Sequence, residues 1–357
     1  MMDLEDFLIN DPDPVVDYLN GARPKPGSKE EDDLVELAFI AARKKGFPYL
    51  PHDPDLVQRE FSKLKAAEPT FDSENRVIRQ TSHGMTLANT YHPEMMNVRC
   101  RGRKWTPLDV FHDDVKFRLA IRRFIKYGGI FMDRGIRMAT CMERDSQAVG
   151  NFRPTASRAI LSYFQPEFAV DFCAGWGGRM VGAMSLGVPY VGIDPNTVSL
   201  AANQKMAEDI GRVFNLPVPE LVCACAEDVL GQGRWNPDLI FTSPPYFNVE
   251  AYSDEPTQSY LRYPGLDKWY EGFLRPCILG AYKDLRSGGH LVLNINPDMG
   301  DRTLAIAKEV GFTYLETWGL AISRRQYRKD MGSHQYEPAT KALGKYRHEP
   351  VLVFKKV

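Results

Sequence analysis

Ser243-Pro244-Pro245-Tyr246 directly follows Thr242 and the apolar run Leu239-Ile240-Phe241, so a hydroxyl, two rigid residues and an aromatic ring stand at the end of what reads as a buried strand. Consecutive prolines fix φ and remove two backbone donors, which leaves the neighbouring carbonyls to accept hydrogen bonds. The Ser243 hydroxyl adds an acceptor and Tyr246 a stacking face. Acceptors beside a stacking ring suit a flat heterocycle that carries an exocyclic amine. The same residues also make an ordinary rigid turn, so the tetrad gains weight only from what precedes it.

What precedes it is a strand, a glycine-rich turn and a helix. Phe168-Ala169-Val170-Asp171 reads as a short buried strand, Phe172 to Arg179 as the turn, and Met180, Ala183, Met184 and Leu186 as the start of a helical pattern. A second strand, Tyr190 to Ile193, ends in Asp194-Pro195-Asn196, about twenty residues beyond the first acid, as expected for a carboxylate that accepts ribose hydroxyls in a βαβ nucleotide site. A dinucleotide fingerprint needs a third glycine where this chain has Met180, which disfavours a pyrophosphate cradle and a nicotinamide dehydrogenase. An acid ending the first strand suits a ligand with a cationic amino-acid end better than it suits a phosphate.

In this order and spacing, the segments from about residue 150 to 357 resemble the S-adenosylmethionine-dependent amino-methyltransferases, the DNA cytosine N4 and adenine N6 enzymes and their RNA relatives. The resemblance implies cofactor contacts at Asp171, Cys173, Ala174, Gly175, Gly177, Asp194, Asn196 and Asp228, with Trp176 where a smaller residue is usual. It implies a catalytic motif at Ser243, Pro244, Pro245 and Tyr246, in the Ser-Pro-Pro-Tyr form that leans toward cytosine N4. Leu285 to Leu293 resembles the family's helix end, Gly-Gly turn and fifth strand, and Glu349 to Phe354 its last, antiparallel strand. Phe152, Arg153 and Thr155 match a segment that packs against the methionine end of the cofactor. An ordinary amphipathic helix start, with Thr155 as N-cap, accounts for the same residues.

The mechanism so implied is direct methyl transfer to a flipped base stacked on Tyr246, with Phe247 and Tyr252 as walls of its pocket. No covalent intermediate is required. Methylation at cytosine C5 would need a cysteine, and Pro276-Cys277 lies after the tetrad inside a helix-like run from Trp269 to Leu285, where a structural role is expected. Methylation of a structured RNA base is an alternative activity. A catalytically silent DNA-binding protein that kept the fold is an alternative of another class.

The remaining sequence bears on partners and layout. The 357 residues carry 43% hydrophobic residues and a formal net charge of −1, enough for one α/β domain and a smaller companion. No apolar run reaches membrane-spanning length and the amino terminus lacks signal-peptide features, so a soluble, cytoplasmic protein is expected. Six scattered cysteines suggest reduced thiols, with neither disulfide nor metal. The first sixty residues are acidic, whereas Val98 to Arg137 holds eleven Lys or Arg against four Asp, and Arg324 to His348 holds seven against two acids. Tyr327, Tyr336 and Tyr346 interleave the second stretch, which makes Arg324, Arg325, Arg328 and Lys329 candidates for binding DNA or, alternatively, RNA.

The expected architecture is α/β: a doubly wound, mainly parallel, seven-stranded Rossmann-like methyltransferase sheet over residues 150–357, with a basic loop at 324–348, preceded by a mainly helical region over residues 1–149. Helices are expected over Glu31 to Lys45, Asp55 to Lys65 and Phe117 to Tyr127, and linkers over Pro24 to Ser28 and Glu68 to Glu74. The strand Thr313 to Ile322 and the last strand should form an antiparallel edge. No separate target-recognition domain fits between the cofactor and catalytic motifs.

Overall fold

Short runs of consecutive apolar residues become the centre of a sheet that is covered on both faces, as such runs must. The computed structural model describes residues 24–126, 133–323 and 347–357. In chain order its strands are β1 (Phe71–Asp72), β2 (Val77–Ile78), β3 (Arg99–Cys100), β4 (Ala169–Asp171), β5 (Tyr190–Asp194), β6 (Glu220–Cys223), β7 (Leu239–Thr242), β8 (Glu250–Ala251), β9 (His290–Asn294), β10 (Thr313–Ser323) and β11 (Arg347–Lys355). Nine of them form one sheet in the order β1-β2-β10-β11-β9-β7-β4-β5-β6. Strands β6, β5, β4, β7 and β9 are mutually parallel, and β11 runs antiparallel between β9 and β10.

This is the expected doubly wound, mainly parallel sheet with two differences. It has nine strands rather than seven, because β1 and β2 come from the amino-terminal region and β2 pairs with β10. Within the stretch Glu68 to Glu74 expected as a linker, Phe71–Asp72 is therefore sheet, paired with the buried, apolar Val77 and Ile78. For the same reason β10 is not a bare edge.

Alternation along each strand sends side chains to two separate cores. Leu239, Phe241, Val292, Val351 and Val353 pack in one with Ile160, Met180 and Trp318, whereas Ile240, Leu291, Leu293, Leu352 and Phe354 pack in the other with Trp269, Leu274 and Cys277. A sheet with two apolar faces needs a helical layer on each, which the helices supply. From β4 the chain proceeds outward through β5 to β6, then returns to β7 on the other side, so the winding reverses between β4 and β7. Ligands of such sheets bind at the carboxyl ends of the strands at that reversal.

The described residues divide into two compact units. One contains residues up to Pro51, Pro93–Gly150 and Glu250–Tyr252; the other contains His52–His92, Asn151–Val249 and Ser253–Val357. Residues 52–92 thus belong with the large sheet, unlike the 1–149 and 150–357 division expected from composition, because helix Pro54–Ala66 buries Leu56, Val57, Phe61 and Leu64 in its core. The smaller unit has its own core, built from Leu34, Phe39, Phe117, Ile121 and Ile136.

Candidate active site

Asp171 ends β4 with no solvent exposure. One carboxylate oxygen accepts from the Thr242 hydroxyl at 2.6 Å and the Cys173 amide at 3.1 Å; the other accepts from Arg179 Nε and the Tyr190 hydroxyl, each at 2.6 Å. Two donors on each oxygen fill the acceptor capacity of a carboxylate. Asp171 therefore organises the turn from within, rather than presenting its charge to a ligand. Arg179 also donates to the Cys173 carbonyl and lies 5.2 Å from the Phe152 ring centroid. Burial opposes its charge most strongly of any single cause, but the adjoining Asp171 carboxylate together with Tyr190 and Cys173 outweighs it and raises its pKa.

The glycine-rich turn is shaped by that network and by β5. The Ala174 amide donates to the Ile193 carbonyl and the Gly175 amide to Asp194 Oδ2 at 2.8 Å. Gly175 has φ +54°, and a Cβ there would meet only the Cys173 carbonyl oxygen at 3.8 Å, so the turn is open at this residue. Gly178 is the opposite case: a Cβ would lie 1.8 Å from the Phe152 carbonyl oxygen. The Gly177 amide closes the turn on the Ala174 carbonyl at 3.2 Å. Asn203 donates to the Gly175 carbonyl at 2.8 Å and pairs with His92 Nε2 at 3.0 Å, which fixes the turn from behind.

Asp194, at the end of β5, is half-buried. Burial pushes its carboxyl up, more than the Asn196 and Gly175 amides pull it down. An open glycine turn beside this carboxylate fits a ribose-bearing ligand. Two other expected cofactor residues have side-chain partners within the protein. Asn196 caps helix Thr197–Phe214 by accepting from the Ser199 amide at 3.0 Å. Asp228 is held by Arg262 at 2.9 and 3.2 Å.

Across the reversal, Thr242 joins β7 to the glycine-rich turn, and the Ser-Pro-Pro-Tyr turn begins at the next residue. Ser243 Oγ donates to Asn294 Oδ1 at 3.2 Å, and Tyr246 reaches the same oxygen at 3.4 Å and Glu349 Oε2 at 3.0 Å. Asn294 is buried at the carboxyl end of β9, and its amide nitrogen donates to the Pro350 carbonyl at 3.3 Å. Glu349 is the third residue of the antiparallel β11, whose direction carries its first residues to the same edge of the sheet. Ser243, Pro245 and Tyr246 are half-buried and Pro244 is buried. Phe247 has φ +56° and turns its ring toward Trp269, centroids 6.3 Å apart.

One sequence-derived expectation needs correction, and the other residues fall as follows. Thr155 is not an N-cap: Arg153 occupies that position, Pro154 begins the helix, and the Thr155 hydroxyl exchanges hydrogen bonds with the backbone of Thr81. Phe152 packs against Phe241 and the glycine-rich turn. Tyr252 belongs to the smaller unit, where its hydroxyl donates to Glu250. Arg324, Arg325, Arg328 and Lys329 lie outside the described residues.

The basic stretch after Val98 also looks different in three dimensions. Arg118 is bidentate to Glu36 at 2.8 Å, Arg122 pairs with Asp32, and Asp114 receives Arg43 at 2.6 Å, so helix Asp114–Lys126 lies against the acidic helix Lys29–Lys45. Opposite charges that look separated in sequence thus neutralise one another. Arg99 in β3 and Arg101, Arg103 and Lys104 in the turn after it are exposed, with Arg99 paired to Asp109 at 3.5 Å and Arg103 donating to Gln147 at 3.2 Å. Cys277 is fully buried in helix Arg275–Asp284, and burial pushes its thiol well above the ordinary cysteine range, so it is no thiolate nucleophile. Among the described residues no cluster of three metal-ligating side chains occurs, and no helix is long and apolar enough to cross a membrane.

Asn294, Glu349, Tyr190 and Asn203 were not singled out from sequence. One signal was present: Leu291-Val292-Leu293-Asn294 repeats the pattern of Leu239-Ile240-Phe241-Thr242, an apolar run closed by a polar residue.

Fold and site together define a Rossmann-like α/β protein whose turns after the first and fourth parallel strands face one edge. No protein-family model matches the chain, and no curated protein does. Among solved structures it is similar to TrmN from Thermus thermophilus, at 17% identity over 58% of this chain and 50% of that one, TM-score 0.38; it spans half the length of that protein. It is also similar to magnesium protoporphyrin IX methyltransferase (ChlM) from Synechocystis PCC 6803 with bound SAM, at 11% identity over 57% of this chain and 79% of that one, TM-score 0.37. A putative RNA methyltransferase from Pyrococcus horikoshii, PH1948, is similar at 13% identity over 57% and 81%, TM-score 0.35.

Proposed function

We propose that this chain transfers the methyl group of S-adenosylmethionine to the exocyclic amine of a DNA base, cytosine N4 ahead of adenine N6. The observation that carries the reading is the Ser243 hydroxyl, which donates inward to Asn294 beside a Pro-Pro turn and the Tyr246 ring. Its remaining lone pairs, with the Pro244 carbonyl, can accept the two hydrogens of an amine and loosen the delocalisation of the nitrogen lone pair. Tyr246 offers its face to a base flipped from its stack, at a cost of a few kcal/mol for unstacking.

Asp194 accepts the ribose hydroxyls, and the open turn at Gly175 leaves room for the rest of the cofactor. When bound, S-adenosylmethionine supplies a methyl carbon: the amine nitrogen bonds to it as the carbon–sulfur bond breaks, sulfur keeps the electron pair, and nitrogen releases a proton to water. The protein's part is orientation and preset dipoles.

The test is incubation with S-adenosylmethionine and duplex DNA, single-stranded DNA or RNA, followed by digestion to nucleosides and mass spectrometry. A methylated amine that falls about 100-fold in Ser243→Ala supports the reading. Near-normal turnover in both Ser243→Ala and Tyr246→Ala removes it, and product confined to RNA changes the substrate class.

A further inference from the structure

We infer that Asn294 is a positioning residue that sets the hydrogen-bond polarity of the site, making Ser243 an obligate acceptor so that an exocyclic amine is admitted and a ring carbonyl in its place is rejected. The inference rests on the proposed function and adds the feature that selects the substrate group.

Its starting point is the Pro350 carbonyl. That oxygen can only accept, so the Asn294 nitrogen 3.3 Å away must face it, and the amide oxygen must face the opposite way. Burial of Asn294 keeps water from substituting for either contact. Ser243 lies 3.2 Å from the outward-facing oxygen and has one proton to give. Tyr246 is 3.4 Å from the same oxygen but has a carboxylate acceptor in Glu349 at 3.0 Å, the stronger partner for a hydroxyl. The Ser243 proton is thereby directed inward and its lone pairs outward. Against them an amine donates, whereas a keto oxygen sets acceptor against acceptor. Without Asn294 the hydroxyl can rotate and serve either group.

The direct readout is binding. Fluorescence anisotropy with S-adenosylhomocysteine present compares single strands carrying the base that the wild type methylates with strands carrying its keto counterpart, uracil for cytosine or hypoxanthine for adenine. The wild type should prefer the amine by about 10-fold or more, and Asn294→Leu should bring the two affinities to within about 2-fold. A preference unchanged in Asn294→Leu, with normal thermal melting, overturns the inference.

Asn294→Asp gives a second test that stands if the leucine variant fails to fold. Only a protonated acid reproduces the amide's donor to Pro350 and acceptor to Ser243, so its kcat should recover as pH falls, which the wild type's does not. Parallel pH profiles overturn the inference. Failure of the wild type to methylate any nucleic-acid amine would instead remove the proposed function.

Discussion

The turns after β4 and β7 lie side by side at the winding reversal, yet their polar groups do different work. After β4, Asp171 is saturated by Arg179, Tyr190, Thr242 and Cys173, and the turn around it has open space at Gly175. After β7, the Ser243 hydroxyl donates to Asn294 and the Tyr246 hydroxyl to Glu349, and both residues remain half-buried. The first turn is a rigid internal assembly and the second a surface with a preset face. A charged residue at the end of a strand is therefore no guide to which turn meets the ligand.

The largest expected effect breaks the first turn. Asp171→Ala leaves Arg179 buried without its counter-ion and should cost about 3–5 kcal/mol. Urea denaturation measures it; a loss under about 1 kcal/mol would mean that the pair does not hold the turn. Ser243→Ala, by contrast, removes one donor from Asn294 Oδ1, which Tyr246 also reaches, and should cost about 1 kcal/mol in stability while turnover falls about 100-fold. If stability fell as far as in Asp171→Ala, Ser243 would be structural and the contrast between the turns would vanish.

Asp194 lies between the two behaviours, and its pH dependence sharpens the comparison. Its carboxyl is raised by burial in the folded state. The native state therefore holds this proton more tightly than the unfolded chain, and the stability so gained is present below the unfolded pKa and lost as pH rises through the higher folded value. Relative to Asp194→Asn, the wild type should lose stability across that acid window and then level off, while calorimetry at neutral pH shows weaker S-adenosylmethionine binding by the variant. A stability difference independent of pH would contradict the buried setting.

The smallest effect is expected at Cys277. Cys277→Ala should cost about 1 kcal/mol in stability and leave methyl transfer intact. Alkylation of the native protein should leave this thiol unmodified, because burial keeps it protonated and inaccessible. Loss of activity in a folded Cys277→Ala protein would reopen a covalent mechanism.

Much of the scaffold was legible because its signals are local. Apolar runs, glycines and prolines located β4, β5 and β7 and the turns after them to within a few residues, and the family resemblance located β9 and β11. Two-residue strands such as β1 and β2 carry too little pattern to be seen, and they form because β10 offers an edge to pair with.

The sequence by itself determined the order of strands and turns, and with it the meeting of a glycine-rich turn, an acid and a Ser-Pro-Pro-Tyr motif at one edge. Only the tertiary structure decided which polar groups face inward. Thr242 meets Asp171 across 71 residues and Tyr246 meets Glu349 across 103. The acidic helix Lys29–Lys45 answers the arginines of helix Asp114–Lys126 from a similar distance along the chain, with Arg118 and Glu36 82 residues apart. Hydrogen bonds and ion pairs depend on which strands and helices become neighbours, and that choice is made by burial of whole faces, not by spacing along the chain.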